Sequence, residues 1–260
     1  MSIPKRQNYL FIDYNNSGDE SSNSTSDDSS SDEEDSIFLG DVDEFMAEVE
    51  SKIHPHFREI AASIKKDDVF GLSVALDNFN GNIDEDLIDG ETALHYACQY
   101  YRRSCFELLL QRNANIEVTN TVGSIPLHIA CGLGSFRMVQ TILNSTTNRD
   151  IINRMVQSVN RFGETPLHEA VVGRNINVIK LLFNVGANTN INGINKMLKS
   201  VDISGRTPLH QAAIYGNARV VKLLLECGAR TDITNYDGKI PWDLAKPNSN
   251  IRRILEDDED

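Results

Sequence analysis

Five segments of the chain open alike: DGETALHYAC, VGSIPLHIAC, FGETPLHEAV, SGRTPLHQAA and DGKIPWDLAK. Their glycines are Gly90, Gly123, Gly163, Gly205 and Gly238, separated by 33, 40, 42 and 33 residues. After three of these openings comes an apolar second half: CFELLLQRNANI, NVIKLLFNVGANT and RVVKLLLECGART. A unit of about 33 residues cannot bury its own apolar face, so it is stable only when stacked on its neighbours.

The fourth unit shows how each one folds. Thr207 is a natural N-cap, and Pro208 then sits in the first helical turn, where a missing N–H costs nothing. Leu209, Ala212 and Ala213 are small or apolar and allow close helix packing, and Gly216 offers a left-handed stop. Val220, Val221, Leu223, Leu224 and Leu225 predict a second helix, which Gly228 ends before a hairpin leads on.

The period and the T-P-L-H-x-A opening resemble the ankyrin repeat over residues 90 to about 255. The segment FREIAASIKKDDVFGLSVALDNFNGNIDED fits one unit earlier without the signature, and its NGNID aligns with NANIE. The expected fold is an all-α solenoid of helical hairpins joined by β-hairpin loops, flanked by disordered acidic tails. The expected boundaries are a Ser-rich tail at 1–50, a degenerate capping repeat at 51–89, and five repeats at 90–122, 123–162, 163–204, 205–237 and 238–255. An acidic tail follows at 256–260.

The recurrence also decides what the histidines do. His95, His128, His168 and His210 occur once per repeat, and stacked helices lie about 8–10 Å apart, too far for these side chains to share one metal ion. Each imidazole is expected to hydrogen-bond backbone and tie a helix start to a neighbouring loop. Cys98 and Cys131 stand at matching positions and read as small buried hydrophobes. There is no Gly-rich phosphate loop, no paired-carboxylate constellation and no metal-ligand spacing, so neither an enzyme nor a cofactor or metal site is expected. The pair His54 and His56 reads as an exposed part of a linker.

Partners of ankyrin arrays contact the hairpin tips and the open side of the first helix, and the resemblance carries those positions here. On the first helices they are Gln99 and Tyr100, Gly132 and Leu133, Val172 and Gly173, and Ile214 and Tyr215. On the tips they include Arg161, Phe162, Arg206, Tyr236 and Lys239. Aromatic residues and arginine are the types enriched at binding hot spots. Two repeats exceed 33 residues, by seven within LNSTTNRDIINRMVQSVNRFG and by nine within NTNINGINKMLKSVDISG. Ile151, Ile152, Met155 and Val156 are expected to meet Ile194, Met197 and Leu198 in a small protruding subcore, made basic by Arg149, Arg154, Lys196 and Lys199.

Charge is unevenly spread. Residues 1–50 carry 14 acids against Lys5 and Arg6, the last five residues read EDDED, and the body between is left at about +4. Acidic tails argue against direct nucleic-acid binding and suit a basic partner. No apolar run reaches the roughly 20 residues of a membrane span, and YLFI is too short for a secretory signal. Four cysteines without a CxxC pair fit a reducing compartment, so the cytoplasm is expected, with the nucleus as a second location. Residues 15–36 are nearly all Ser, Asn, Asp, Glu and Gly and read as disordered. A short amphipathic helix is expected from about Asp41, with Val42, Phe45, Met46 and Val49 on one face.

Within the repeat family, the spacings and tails resemble the IκB proteins, the inhibitors of Rel/NF-κB transcription factors. That resemblance implies six repeats, with an insertion in the unit that opens GSIPLHIACGLG, and a tail degron D-S-G-x-x-S. The chain reads NSGDES, so Ser17, Gly18 and Ser21 match while Asn16 replaces the aspartate. It further implies phosphorylation of Ser17 and Ser21, recruitment of a ubiquitin ligase, and Lys5 as ubiquitin acceptor. Ser17, Ser24, Thr25, Ser29, Ser30 and Ser31 each have an acid three residues on, which suits an acidophilic kinase. Two functions remain open: a regulatory inhibitor of a Rel-type factor, and a constitutive adaptor or chaperone for a basic client such as a ribosomal protein or histone.

Overall fold

The computed structural model describes residues 57–88, 90–189 and 193–257, all within the unit Val49–Asp260. Lys5, the tail serines, the expected helix from Asp41 and the pair His54 and His56 lie outside the described residues.

The short first helices are Ala93–Gln99, Pro126–Gly132, Pro166–Val172 and Pro208–Tyr215. Each is returned by a second helix: Arg103–Gln111, Phe136–Asn144, Ile176–Thr189 and Ala218–Glu226. Helices Arg58–Lys66 and Val69–Asp77 form a pair ahead of them, and Pro241–Leu244 with Asn250–Asp257 closes the stack. That closing helix takes in the first two residues of EDDED, and Glu256 accepts from the Trp242 indole N–H at 2.9 Å.

The apolar side chains form one continuous core from Phe57 to Leu255. Leu94, Leu127, Leu167 and Leu209 occupy the same position in successive units and are all buried. Gly216 stops its helix with φ 76°, in the left-handed region that favours glycine. Of the expected β-hairpins, the described residues show one two-stranded ladder, Asp86–Ile88 with Glu91–Thr92. The other tips are tight turns, each closed by a pair of backbone bonds, such as Asn160 N–H to the Glu164 carbonyl and Gly163 N–H to the Asn160 carbonyl, both at 3.0 Å.

The two long repeats depart from the expected protruding subcore. Their extra residues fold as helices, Arg149–Gln157 and Gly193–Lys199. Met155, Val156, Met197 and Leu198 are buried in the common core, because both helices pack on Ile176–Thr189. That helix runs five residues beyond its nine-residue counterpart Ala218–Glu226. Gly186 lies inside it, where the equivalent Gly228 adopts φ 89° and ends its helix. The extension permits a close crossing: a Cβ on Gly193 would stand 2.1 Å from the Gly186 carbonyl oxygen.

Candidate protein-binding surface

The signature histidines are built into the frame. In each of the four units, Nδ1 accepts from the N-cap N–H: Thr92 at 3.3 Å, Ile125 at 3.2 Å, Thr165 at 3.2 Å and Thr207 at 3.1 Å. An accepting Nδ1 puts the proton on Nε2. That N–H donates to a carbonyl of the next unit: Ser124, Glu164, Arg206 and Lys239, at 2.9, 3.1, 3.1 and 3.0 Å. Each imidazole thus ties one helix start to the neighbouring tip, as the repeat implies. Desolvation lowers all four pKa values, to about 4 for His95 and His128. In the last unit Asp243 replaces histidine. Its carboxylate accepts from Ile240 N–H at 2.9 Å, keeping the cap but offering no donor to a further unit.

The thiols of Cys98 and Cys131 are fully buried, and burial pushes both well above the ordinary value. Burial, followed by the nearby Asp67 carboxylate, pushes Cys105 up to about 12. These are protonated packing groups, not nucleophiles.

The tips owe their shape to a residue type that the sequence reading did not single out. Asn120, Asn160, Asp202 and Asn235 each accept from the N–H groups two and four residues on, at 2.8–3.1 Å. The signal is an Asn or Asp three residues before Gly123, Gly163, Gly205 and Gly238. Adjacent tips are joined by backbone: Arg161 N–H to Val122, Ile203 N–H to Phe162 and Tyr236 N–H to Ser204, at 2.8, 2.9 and 3.0 Å.

On this ridge Arg161, Tyr236 and Lys239 are exposed and Phe162 is half-buried. Arg206 is held within its own tip, where its Nε donates to Asp202 at 2.8 Å. On the first helices Leu133, Ile214 and Tyr215 are half-buried, while Tyr100 packs on Tyr96 with ring centroids 4.7 Å apart. Gly173 is a spacing residue, since a Cβ there would stand 2.4 Å from the Cys131 carbonyl oxygen, whereas a Cβ on Gly132 would meet only the Glu169 side chain, at 3.1 Å.

Sequence reading finds no paired carboxylates, yet the structure brings two to one amide. Asn160 Nδ2 reaches Glu164 at 3.1 Å and Glu169 at 3.4 Å. Glu164 also accepts from Gln211 Nε2 at 3.0 Å. Both oxygens of Glu164 are thus held by amides. In the insertions, Arg154 pairs with Glu117 at 2.7 Å, and Lys196 donates to Gln157. Arg149 and Lys199 are exposed.

The frame matches the family model for ankyrin repeats in three copies, over residues 60–152, 94–195 and 146–237. The chain belongs to the ankyrin-repeat family. Ankyrin stacks are as a class protein-binding modules, and this one presents the same frame. Among curated relatives, the B-cell lymphoma 3 protein homolog of Mus musculus is 32% identical over 103 residues, 38% of this chain and 22% of that protein. SMC5-SMC6 complex localization factor protein 1 of Homo sapiens is 35% identical over 100 residues, 38% of this chain and 9% of that protein. NF-kappa-B inhibitor alpha of Sus scrofa is 29% identical over 130 residues, 50% of this chain and 37% of that protein. The matched ankyrin segment thus spans well under two thirds of each relative.

Proposed function

We propose that this ankyrin protein is a regulatory inhibitor that binds a Rel/NF-κB-type transcription factor through its repeats. The observation that carries the reading is the 29% identity, across half the chain, to a protein named as an inhibitor of NF-κB. The lengthened second signature repeat, 123–162, supports it, as does the NSGDES match in the tail. Arg161, Tyr236 and Lys239 on the tips, with Leu133, Ile214 and Tyr215 on the first helices, supply the contact surface; Tyr100, Phe162 and Arg206 complete it at its less exposed places. An acidophilic kinase modifies Ser29, Ser30 and Ser31, and phosphorylation of Ser17 and Ser21 directs a ubiquitin ligase to Lys5. The protein works in the cytoplasm and reaches the nucleus.

Affinity purification followed by mass spectrometry tests this with the wild type and a Tyr236→Ala/Arg161→Glu variant, both sites being exposed. A Rel-domain protein recovered with the wild type and lost with the variant is expected. Absence of any Rel-domain protein from the wild-type sample rejects the reading. The acid-rich residues 1–50 favour a second function, an adaptor for a basic client. That reading expects ribosomal proteins or histones instead, in a complex that weakens steeply with salt.

A further inference from the structure

The two insertions end in the same way. Ser158 Oγ bonds the Met155 carbonyl at 2.7 Å, and Ser200 Oγ bonds the Met197 carbonyl at 2.6 Å. The next residues, Val159 and Val201, each precede the Asn or Asp that shapes the tip. Equivalent residues of stacked repeats are neighbours. Two bridges fix that register here: Lys196 donates to Gln157, and Ile203 N–H donates to the Phe162 carbonyl at 2.9 Å.

This junction is apolar and basic together. Val159, Val201 and Ile203 are 58%, 39% and 51% exposed, although nothing in the frame requires large apolar side chains there. Around them stand the exposed cations Lys196, Lys199 and Arg161, and no carboxylate among the described residues pairs with them. Asp202 is buried and held by Arg206. Asp150 lies at the far end of its nine-residue helix, about 10 Å along the axis. Exposed apolar residues beside unpaired charge of one sign mark a contact site for the opposite sign.

We propose that this junction is a docking surface for an acidic segment of a partner protein that carries apolar side chains. The cations attract and orient the segment, and the apolar ridge of Val159, Val201 and Ile203 holds it by burial. The positive sign separates this surface from any site for a basic client. Its lysines come from the inserted helix Gly193–Lys199, so a stack of plain 33-residue units would lack them.

The test uses the full chain and a fluorescein-labelled peptide of six alternating glutamate–leucine pairs, followed by anisotropy at near-physiological salt. Peptides of lysine–leucine and of glutamate–serine are the controls. Saturable binding of the glutamate–leucine probe is expected, with the dissociation constant raised at least tenfold by Lys196→Glu/Lys199→Glu and at least fivefold by Val159→Ser/Val201→Ser. Lys196→Arg/Lys199→Arg should retain binding. All four positions are exposed, so unchanged circular dichroism and thermal midpoints separate loss of binding from loss of fold. Absence of saturable binding, equal binding of the lysine–leucine probe, or indifference to both variants overturns the proposal. No Rel-domain protein enters this experiment, so its result is independent of the function proposed above.

Discussion

The side-chain amide of Gln211 donates to a carboxylate oxygen of Glu164 at 3.0 Å, joining the first helix of one repeat to the cap of the repeat before it. Both residues are buried, and Asn160 holds the other oxygen of the carboxylate at 3.1 Å. A buried anion that loses a donor keeps its desolvation penalty without the compensating bond. Gln211→Ala should therefore lower the unfolding free energy by about 1.5–3 kcal/mol, the range for hydrogen bonds to charged groups. In a Glu164→Gln background the loss should be smaller, and a double-mutant cycle read by urea unfolding checks the coupling.

Gly173 and Gly228 separate two reasons for glycine. Gly173 has φ −66°, open to any residue, but a Cβ there would stand 2.4 Å from the Cys131 oxygen and 2.8 Å from the Gly132 oxygen. Gly228 has φ 89° and nothing within 4 Å of its added Cβ. Gly173→Ala should cost about 1–3 kcal/mol by forcing two repeats apart. Gly228→Ala should cost about 1 kcal/mol through the backbone alone. Amide hydrogen exchange distinguishes them: protection falls on both sides of the 132/173 contact in the first variant, and only at the end of helix Ala218–Glu226 in the second.

Acid should loosen the stack through its histidines. Desolvation holds His95 and His128 at about 4 in the folded chain, below the ordinary value of 6.5. The folded state therefore binds fewer protons than the unfolded state between these values. The stability is fully present above pH 6.5 and is lost as pH falls toward 4, by roughly 3 kcal/mol for each of the two. Protonation also places a donor at Nδ1, facing the N-cap N–H that it had accepted. Urea midpoints between pH 7.5 and 4.5 should fall for the wild type, and the fall should be shallower in His128→Gln.

How far the molecule could be read from its sequence depended on whether a feature repeats. Thr207, Pro208 and His210 recur in register, so caps, helix starts and the histidine ties were all legible. The Asn and Asp residues that shape the tips were equally periodic, but they look like ordinary turn residues until their bonds are seen. Contacts between repeats leave no local mark: Glu164 and Gln211 lie 47 positions apart, and their pairing follows from the stacking. The position of Gly173 reads as open to a partner because register alone cannot show that backbone approaches its Cα there. The insertions suggest a protruding subcore in sequence because a single repeat does not reveal that Ile176–Thr189 continues through Gly186 to receive both extra helices.

That last difference leads to a test of whether the insertions belong to the core. Met155 is fully buried, while Val159, four residues on, is more than half exposed. If the extra helix were a loosely attached ornament, truncating either side chain would leave the stability of the stack unchanged. Because the helix packs on Ile176–Thr189, Met155→Ala should remove contacts and leave a void, costing about 2–5 kcal/mol. Val159→Ser should stay within about 0.5 kcal/mol of the wild type, as an exposed substitution does. Urea unfolding of both variants, followed by far-ultraviolet circular dichroism, should give one cooperative transition that shifts only for Met155→Ala. A wild-type midpoint for that variant would place the insertion outside the core.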